Sequence, residues 1–363
     1  MSFMRPVSDL RIAAPTGPIL SPARESSPVA NPFVRSLAGL VLALAQALGA
    51  GAVMAAGLRP IFVLNSQDAD ISLIDPVTMT QIQRVPTGKE PHHLYLAPDE
   101  KTLIVANAAS NSLTFIDPTT GAVKRTLQGI VDPYHLRFSP DMQWFVTAAN
   151  RLNHVDLYRW QGADAAQPLK LVQRIEAPRT PSHLNIDSKS SVVYASLQDS
   201  DELLAIDLAT QKLRWKIKVG KLPADLHLTA DDRTLLVGLT GDRFVEAYDV
   251  SGAQPRLIKR IETGDGAHAF RAKGDRRHVF VSNRVANTIS LIDTQTLVVT
   301  DTYPGPGGPD CMEMLADGKT LLVSSRWARK LSFIDLASKK VVRQIDVGRS
   351  PHGVWTLDHA PRQ

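Results

Sequence analysis

One short phrase returns seven times along this chain, and its spacing leaves few folds open. ISLID stands at 71–75, LTFID at 113–117, LLAID at 203–207, ISLID again at 289–293 and LSFID at 331–335. Weaker copies, VDLYR at 155–159 and VEAYD at 245–249, fill the gaps, so successive copies lie 42, 42, 48, 42, 44 and 42 residues apart. A repeat of this length is one supersecondary unit that cannot bury its own apolar face and must stack on its neighbours. Apolar residues alternate with period two inside each copy, which makes the repeated elements strands rather than helices.

The second copy parses into a full unit. HHLYLAP reads as a strand, DEK as its turn, TLIVANA as a second strand, NSLTFID as a third, PTTG as a turn and AVKRTLQ as a fourth. Asp, Pro and Gly fall where tight turns need them. Four antiparallel strands per unit describe a propeller blade. The repeat region opens on PIFVLNS, which matches a second strand, and closes on SPHGVWTLD, which matches a first. The final strand is therefore expected to complete the blade begun by the first three, leaving no open sheet edge. The sequence predicts an all-β, seven-bladed β-propeller of four-stranded antiparallel blades over residues 59–358, with 359–363 as a tail.

What precedes the repeats is of another kind. Residues 1–36 are rich in Pro, Ser and Ala and lack periodicity, as a disordered leader would. After Arg35 the run SLAGLVLALAQALGAGAVMAAGL is uncharged until Arg59. A basic flank, an apolar stretch and a small-residue exit at Ala52, Ala55 or Ala56 make a secretory signal, so residues 1–58 are read as leader and signal and the protein as periplasmic or secreted. An uncleaved membrane anchor is the competing reading, and the membrane enters in no other way. The net charge of +5 comes from scattered Lys and Arg with no dense run, which does not point to nucleic acid. Cys311 is the only cysteine, so the chain forms no internal disulfide.

The wording of the repeats, TLIVANAASNSLTFIDPTTGAVKRTLQGI and KTLLVSSRWARKLSFIDLASKKVVRQIDVGRSPHG, resembles the YVTN repeats of the YncE-like bacterial propellers. That superfamily takes in the haem d1 propeller of periplasmic nitrite reductases. The resemblance covers roughly residues 60–358 and implies a fold; propellers serve as scaffolds, binding modules and enzymes alike.

Chemistry gathers at one place in the repeat. Each first strand is entered by a short phrase: PHHL at 91, PYHL at 133, PSHL at 181, PADL at 223, GAHA at 266, PDCM at 309 and PHGV at 351. Its third position holds His93, His135, His183, Asp225, His268, Cys311 and Gly353, and six of these seven are types that ligate a metal or exchange a proton. His92 and His352 share the neighbouring column. Innermost strands line the channel of a propeller, so the column is expected to ring one mouth, beside loops that carry Asn107, Asn150, Arg151, Asn283, Arg284, Arg326 and Trp327.

Three readings follow. His93, His135 and His183 come from consecutive blades and suit copper or zinc with a position left open, Asp225, His268 or Cys311 completing the set. Non-covalent haem is the second, since a column histidine supplies an axial ligand and Arg151, Arg284, Arg326, His92 and His352 the surroundings; the absence of CxxCH excludes covalent attachment. A non-catalytic monomer whose basic mouth takes an anionic ligand or a protein partner, such as a periplasmic redox protein, is the third, and a metal-assisted hydrolase or lyase stands beside it. The structural counterpart is a column that only hydrogen-bonds between blades. By the same measure the Asp of each FID caps a turn, Cys311 fills space, and Trp215, Trp327 and Trp355 pack between blades.

Overall fold

The computed structural model describes residues 59–362. The leader, signal or anchor proposed for residues 1–58 lies outside the described residues. Among the described residues no helix is long and apolar enough to cross a membrane.

Twenty-eight strands, β1–β28, form seven four-stranded antiparallel sheets. Six sheets are built from consecutive strands, and the seventh joins the chain ends: β28 (Pro351–Trp355) lies beside β1 (Ile61–Asn65), followed by β2 (Asp70–Asp75) and β3 (Thr80–Pro86). Phe62 pairs with Trp355 and Val63 with Val354, and the Phe62 and Trp355 rings meet edge-on at 5.6 Å. Blades pack face to face through their middle strands. Val146 and Leu157 of one blade, for instance, join Leu184, Val193 and Leu204 of the next in a single buried cluster. Each such side chain contributes about 1.5–3 kcal/mol on burial, which is why no blade is stable alone.

The repeated Asp stitches the turn after the third strand. Asp75 accepts from the Val77 and Thr78 amides at 2.8 and 3.1 Å, and Asp117 from Thr119 and Thr120 at 2.9 Å each. Asn107 and Asn283 clip the second strand to the third through Thr114 and Ser290, both at 2.9 Å. Trp215 and Trp355 are buried. Trp327 departs from the expectation that it packs between blades: it is 57% exposed, lying over Gly308, where an added Cβ would meet its ring at 2.5 Å.

Seven innermost strands surround the channel: β4 (Pro91–Leu96), β8 (Pro133–Phe138), β12 (Pro181–Ile186), β16 (Pro223–Leu228), β20 (Ala267–Ala272), β24 (Pro309–Met314) and β28. The residue before each has a positive φ: Glu90, Asp132, Thr180, Leu222, Gly266, Gly308 and Ser350. Each strand then carries a bulge. In β12, Pro181 faces Leu197 and Leu184 faces Ala195, three steps on one strand against two on its partner. The same shift follows Pro91, Pro133, Pro223, Ala267 and Pro309.

Candidate functional site: an imidazole cluster in the channel

A bulge breaks the rule that neighbouring residues of a strand face opposite ways. Here it turns the second and third residues of each innermost strand toward the axis together. His92 and His93 show the result: the His92 ring stacks on His352 at 3.6 Å and on Tyr134 at 3.9 Å, while the His93 ring reaches His135 at 4.3 Å and His352 at 4.8 Å. Two layers of side chains thus plug this end of the channel.

The pairing also fixes which residue belongs to which layer, and it corrects one position. Ala267 faces Asn283 as Pro91 faces Asn107, so Ala267 takes the proline place and Gly266, at φ +81°, takes the left-handed place before it. His268 therefore stands in the second layer, with His92, Tyr134, Asp310 and His352, and Ala269 replaces it in the third. The third layer is His93, His135, His183, Asp225, Ala269, Cys311 and Gly353. The last place is tight: a Cβ on Gly353 would displace the Leu94 and Leu64 methyls, at 2.7 and 2.9 Å, and press on His92 O at 3.1 Å.

His93, His135 and His183 converge. Each offers a ring nitrogen, and these atoms lie within 4.8 Å of one another. Ring centroids are 4.3 Å apart for His93–His135, 5.1 Å for His135–His183 and 5.3 Å for His93–His183. Ser182 Oγ, 2.9 Å from His183 Nδ1, orients that ring. His93 Nε2, His135 Nδ1 and His183 Nε2 are buried with no protein partner. Burial pushes all three imidazoles down from their ordinary pKa, and for His93 and His135 a neighbouring histidine adds to it, so they are neutral at pH 7. Neutral imidazoles with free nitrogen lone pairs are metal ligands in waiting.

Asp225 and Cys311 sit in the same layer under different conditions. Asp225 accepts from the Leu226 amide at 2.9 Å on one carboxylate oxygen and from the Phe270 amide at 2.8 Å on the other, and it is outside the three-imidazole group. Cys311 groups instead with Asp310 and His352, its sulfur 3.4 Å from His352 Nδ1. Burial, with Asp310 nearby, pushes its thiol well up, so it is protonated.

Across the channel the charges are paired, although His268 Nδ1, Arg284 Nε and His352 Nε2 lack hydrogen-bond partners. Asp310, fully buried, accepts from Arg284 Nη2 at 2.8 Å and Arg326 Nη1 at 3.0 Å. Its other neighbours are His268 Nδ1 at 3.2 Å and His352 Nε2 at 3.5 Å. Burial alone would raise its pKa, but Arg284 and its other cationic neighbours overcome this and hold the carboxyl well below the usual range. Arg284 also donates to His268 Nε2 at 2.8 Å. Arg151, outside the channel, pairs with Asp132 at 2.6 Å and Glu90 at 2.7 Å. All three arginines expected to surround a cofactor are thus engaged with carboxylates of the protein. Asp310 and Tyr134 were not singled out from the sequence, where the second position of the phrase drew notice only for its histidines, His92 and His352; that position was their signal.

The space beside the cluster opens away from this mouth. A chamber of about 220 Å³ borders His93, His135 and His183 and runs past Arg137, Asn185 and His227 to Pro140, Thr229, Asp232 and Arg362. Pro140, Thr229 and Asp232 belong to the hairpin turns at the opposite face. Stacked rings close the His/Arg mouth, and the approach runs from the far end. The carboxy-terminal segment lies at that end: the Ala360 amide donates to Met314 O at 2.8 Å, and Arg271 donates to Ala360 O at 2.7 Å.

The YncE-like beta-propeller family matches residues 28–362, all but the start of the chain. The chain belongs to that family. This YncE-like propeller is 28% identical over 162 residues to the uncharacterized protein YncE of Salmonella typhi, an overlap of 44% of this chain and 45% of that one. It thus spans less than half the length of the curated relative it matches. Among solved structures it resembles the periplasmic gluconolactonase PpgL of Pseudomonas aeruginosa, with TM-score 0.69 and 19% identity over 82% of this chain and 99% of that one. Dihydro-heme d1 dehydrogenase NirN gives TM-score 0.61 and 17% identity over 82% of this chain and 75% of that one. At such identities the likeness is one of fold.

Proposed function

We propose that this YncE-like propeller is exported and holds one transition-metal ion, copper or zinc, on His93, His135 and His183, as a metal-handling or redox accessory protein. One observation carries the reading: three neutral imidazoles from consecutive blades converge, each with a buried ring nitrogen that has no protein partner. Leaving such an atom unpaired costs about 1–3 kcal/mol, a cost that ligation removes. Three nitrogens about 2.0–2.1 Å from one ion lie closer together than 4.8 Å, within reach of small imidazole rotations. Ser182 holds the orientation of the His183 ring, as outer partners of ligating histidines do. When bound, the ion would supply a Lewis-acid or redox centre beside the chamber.

A bare ion suits the space better than haem. The chamber, at about 220 Å³, is smaller than the roughly 300–1,000 Å³ of pockets that enclose drug-sized ligands, and haem is larger still. Arg151, Arg284 and Arg326, the arginines expected to surround a cofactor, are each paired with a carboxylate and not free to meet propionates. NirN and PpgL, a haem d1 dehydrogenase and a gluconolactonase by name, keep redox and hydrolytic roles open for the same fold.

Elemental analysis of the protein purified after export, beside a His135→Ala/His183→Ala variant, tests this. The expected result is a near-stoichiometric metal in the parent and none in the folded variant. A parent that stays empty after copper and zinc are supplied sinks the reading and returns the histidines to a structural role.

A further inference from the structure

Below the imidazoles the channel carries a second set of polar residues, the fifth position of six of the seven innermost strands: Tyr95, Arg137, Asn185, His227, Arg271 and Glu313, with Trp355 in the seventh. These side chains are engaged to very different degrees. Arg271 is saturated by Glu313 and by the carbonyls of Ala272, Ala360 and Pro361. Arg362 takes the other oxygen of Glu313. Asn185 donates to Leu226 O at 2.9 Å. Burial holds the His227 imidazole down at about 4, so it is neutral at pH 7.

Arg137 is the exception. Its Nε donates to Leu184 O at 3.0 Å and its Nη1 to Tyr95 Oη at 2.9 Å, and the guanidinium sits 5.3 Å from the centre of the Tyr95 ring. These contacts fix its direction without neutralising it. Among the described residues it makes no salt bridge, and its Nη2 has no protein acceptor. It lines the chamber. None of the acidic groups around it touches it: Glu313 is held by two arginines and Asp232 by Ser188, while Asp225, hydrogen-bonded to two backbone amides, lines the same chamber and supports the Arg137 charge from a distance.

A guanidinium held rigidly in an enclosed space, with a free N–H and no carboxylate partner, is an anion site. We propose that the chamber binds a small anion of a few heavy atoms, a carboxylate or an inorganic oxyanion, on Arg137. About 10–15 Å³ of such space admits one water, so about 220 Å³ accommodates an anion with part of its hydration. The anion enters from the hairpin face and reaches Arg137 before the imidazoles. The site does not depend on the metal, and its test uses metal-stripped protein.

The probe is formate, followed by saturation-transfer NMR on the full-length protein after chelation. The expected result is saturable transfer that acetate or phosphate competes away, weakened about ten- to hundredfold in Arg137→Met, the loss of one charge-assisted contact. Arg137→Lys, which keeps the charge but loses the fork, retains more binding than Arg137→Met and covers the case in which the uncharged variant fails to fold. No transfer to the parent at tens of millimolar formate overturns the inference, as does equal binding by folded Arg137→Met. Either result is independent of the metal content, so the two readings fail separately.

Discussion

Two groups of buried polar side chains face each other across the same end of the channel, and they obey opposite rules. On the side of β24 and β20, Asp310, Arg284, Arg326 and His268 form a closed network in which opposite charges meet. On the side of β4, β8 and β12, His93, His135 and His183 carry no charge and leave nitrogens unpaired. Depth and residue polarity are alike, and both sides hold nitrogens without partners; charge pairing is what differs. A charge-paired network holds blades together by itself, whereas a group of neutral lone pairs has no counter-charge and is completed by a ligand.

The comparison breaks first at Asp310. Asp310→Ala strands Arg284 and Arg326 beside each other and is expected to lower unfolding stability by about 3 kcal/mol, at the low end for broken buried pairs because both guanidiniums keep some solvent. Urea denaturation of metal-free protein reads it, and a loss under 1 kcal/mol would mean that the network contributes little.

The imidazole side should respond in the opposite sense. His135→Ala/His183→Ala is expected to unfold at a denaturant midpoint close to that of the metal-free parent, since it removes two orphaned nitrogens along with two packed rings. Copper or zinc at a hundred times its dissociation constant should stabilise the parent by about 2.7 kcal/mol and leave the variant unchanged. Equal stabilisation of both would move the metal to other ligands.

Acid sharpens the same contrast. Burial, the leading cause, takes His352 down to about 3 in the folded protein, against about 6.5 when unfolded. Between those values the unfolded chain binds more protons, so stability is lost as pH falls from about 6.5 toward about 3, by up to about 1.4 kcal/mol per pH unit for each such histidine. In metal-free protein, His352→Asn should flatten the urea midpoint between pH 6 and pH 4.5 by about one proton. An unchanged slope would show that this ring already titrates in the native state.

The smallest effect is expected at Arg151, which occupies a loop corresponding to that of Arg284 but stays half exposed against Asp132 and Glu90. Arg151→Ala should cost no more than about 1 kcal/mol in the same denaturation assay. A loss matching that of Asp310→Ala would erase the distinction between mouth and channel.

Much of this was legible in the sequence. The seven-fold phrase with its period-two alternation specified blades, strands and closure, because each copy repeats the same demand for burial. The imidazole trio was legible for the same reason, as a column. Two physical facts were not. A bulge cannot be seen in alternation, so the layer of Tyr134 and Asp310 stayed hidden. Gly266 occupies the left-handed place that Glu90, Asp132 and Thr180 fill elsewhere, and aligning it with the prolines moved His268 one layer too deep. Arg137, His227, Arg271 and Glu313 left a further trace, polar residues inside apolar strands, but which of them is neutralised depends on contacts between distant blades and on the carboxy-terminal segment.

The repeated bulge has a consequence for how such a protein can change. It doubles the side chains that each blade presents to the axis near this mouth, giving fourteen neighbouring positions in two layers around one channel. All fourteen lie inside a ring whose closure depends on other residues. A lineage can therefore rewrite the chemistry of the centre, one blade at a time, without touching the β-ladders that hold the wheel shut.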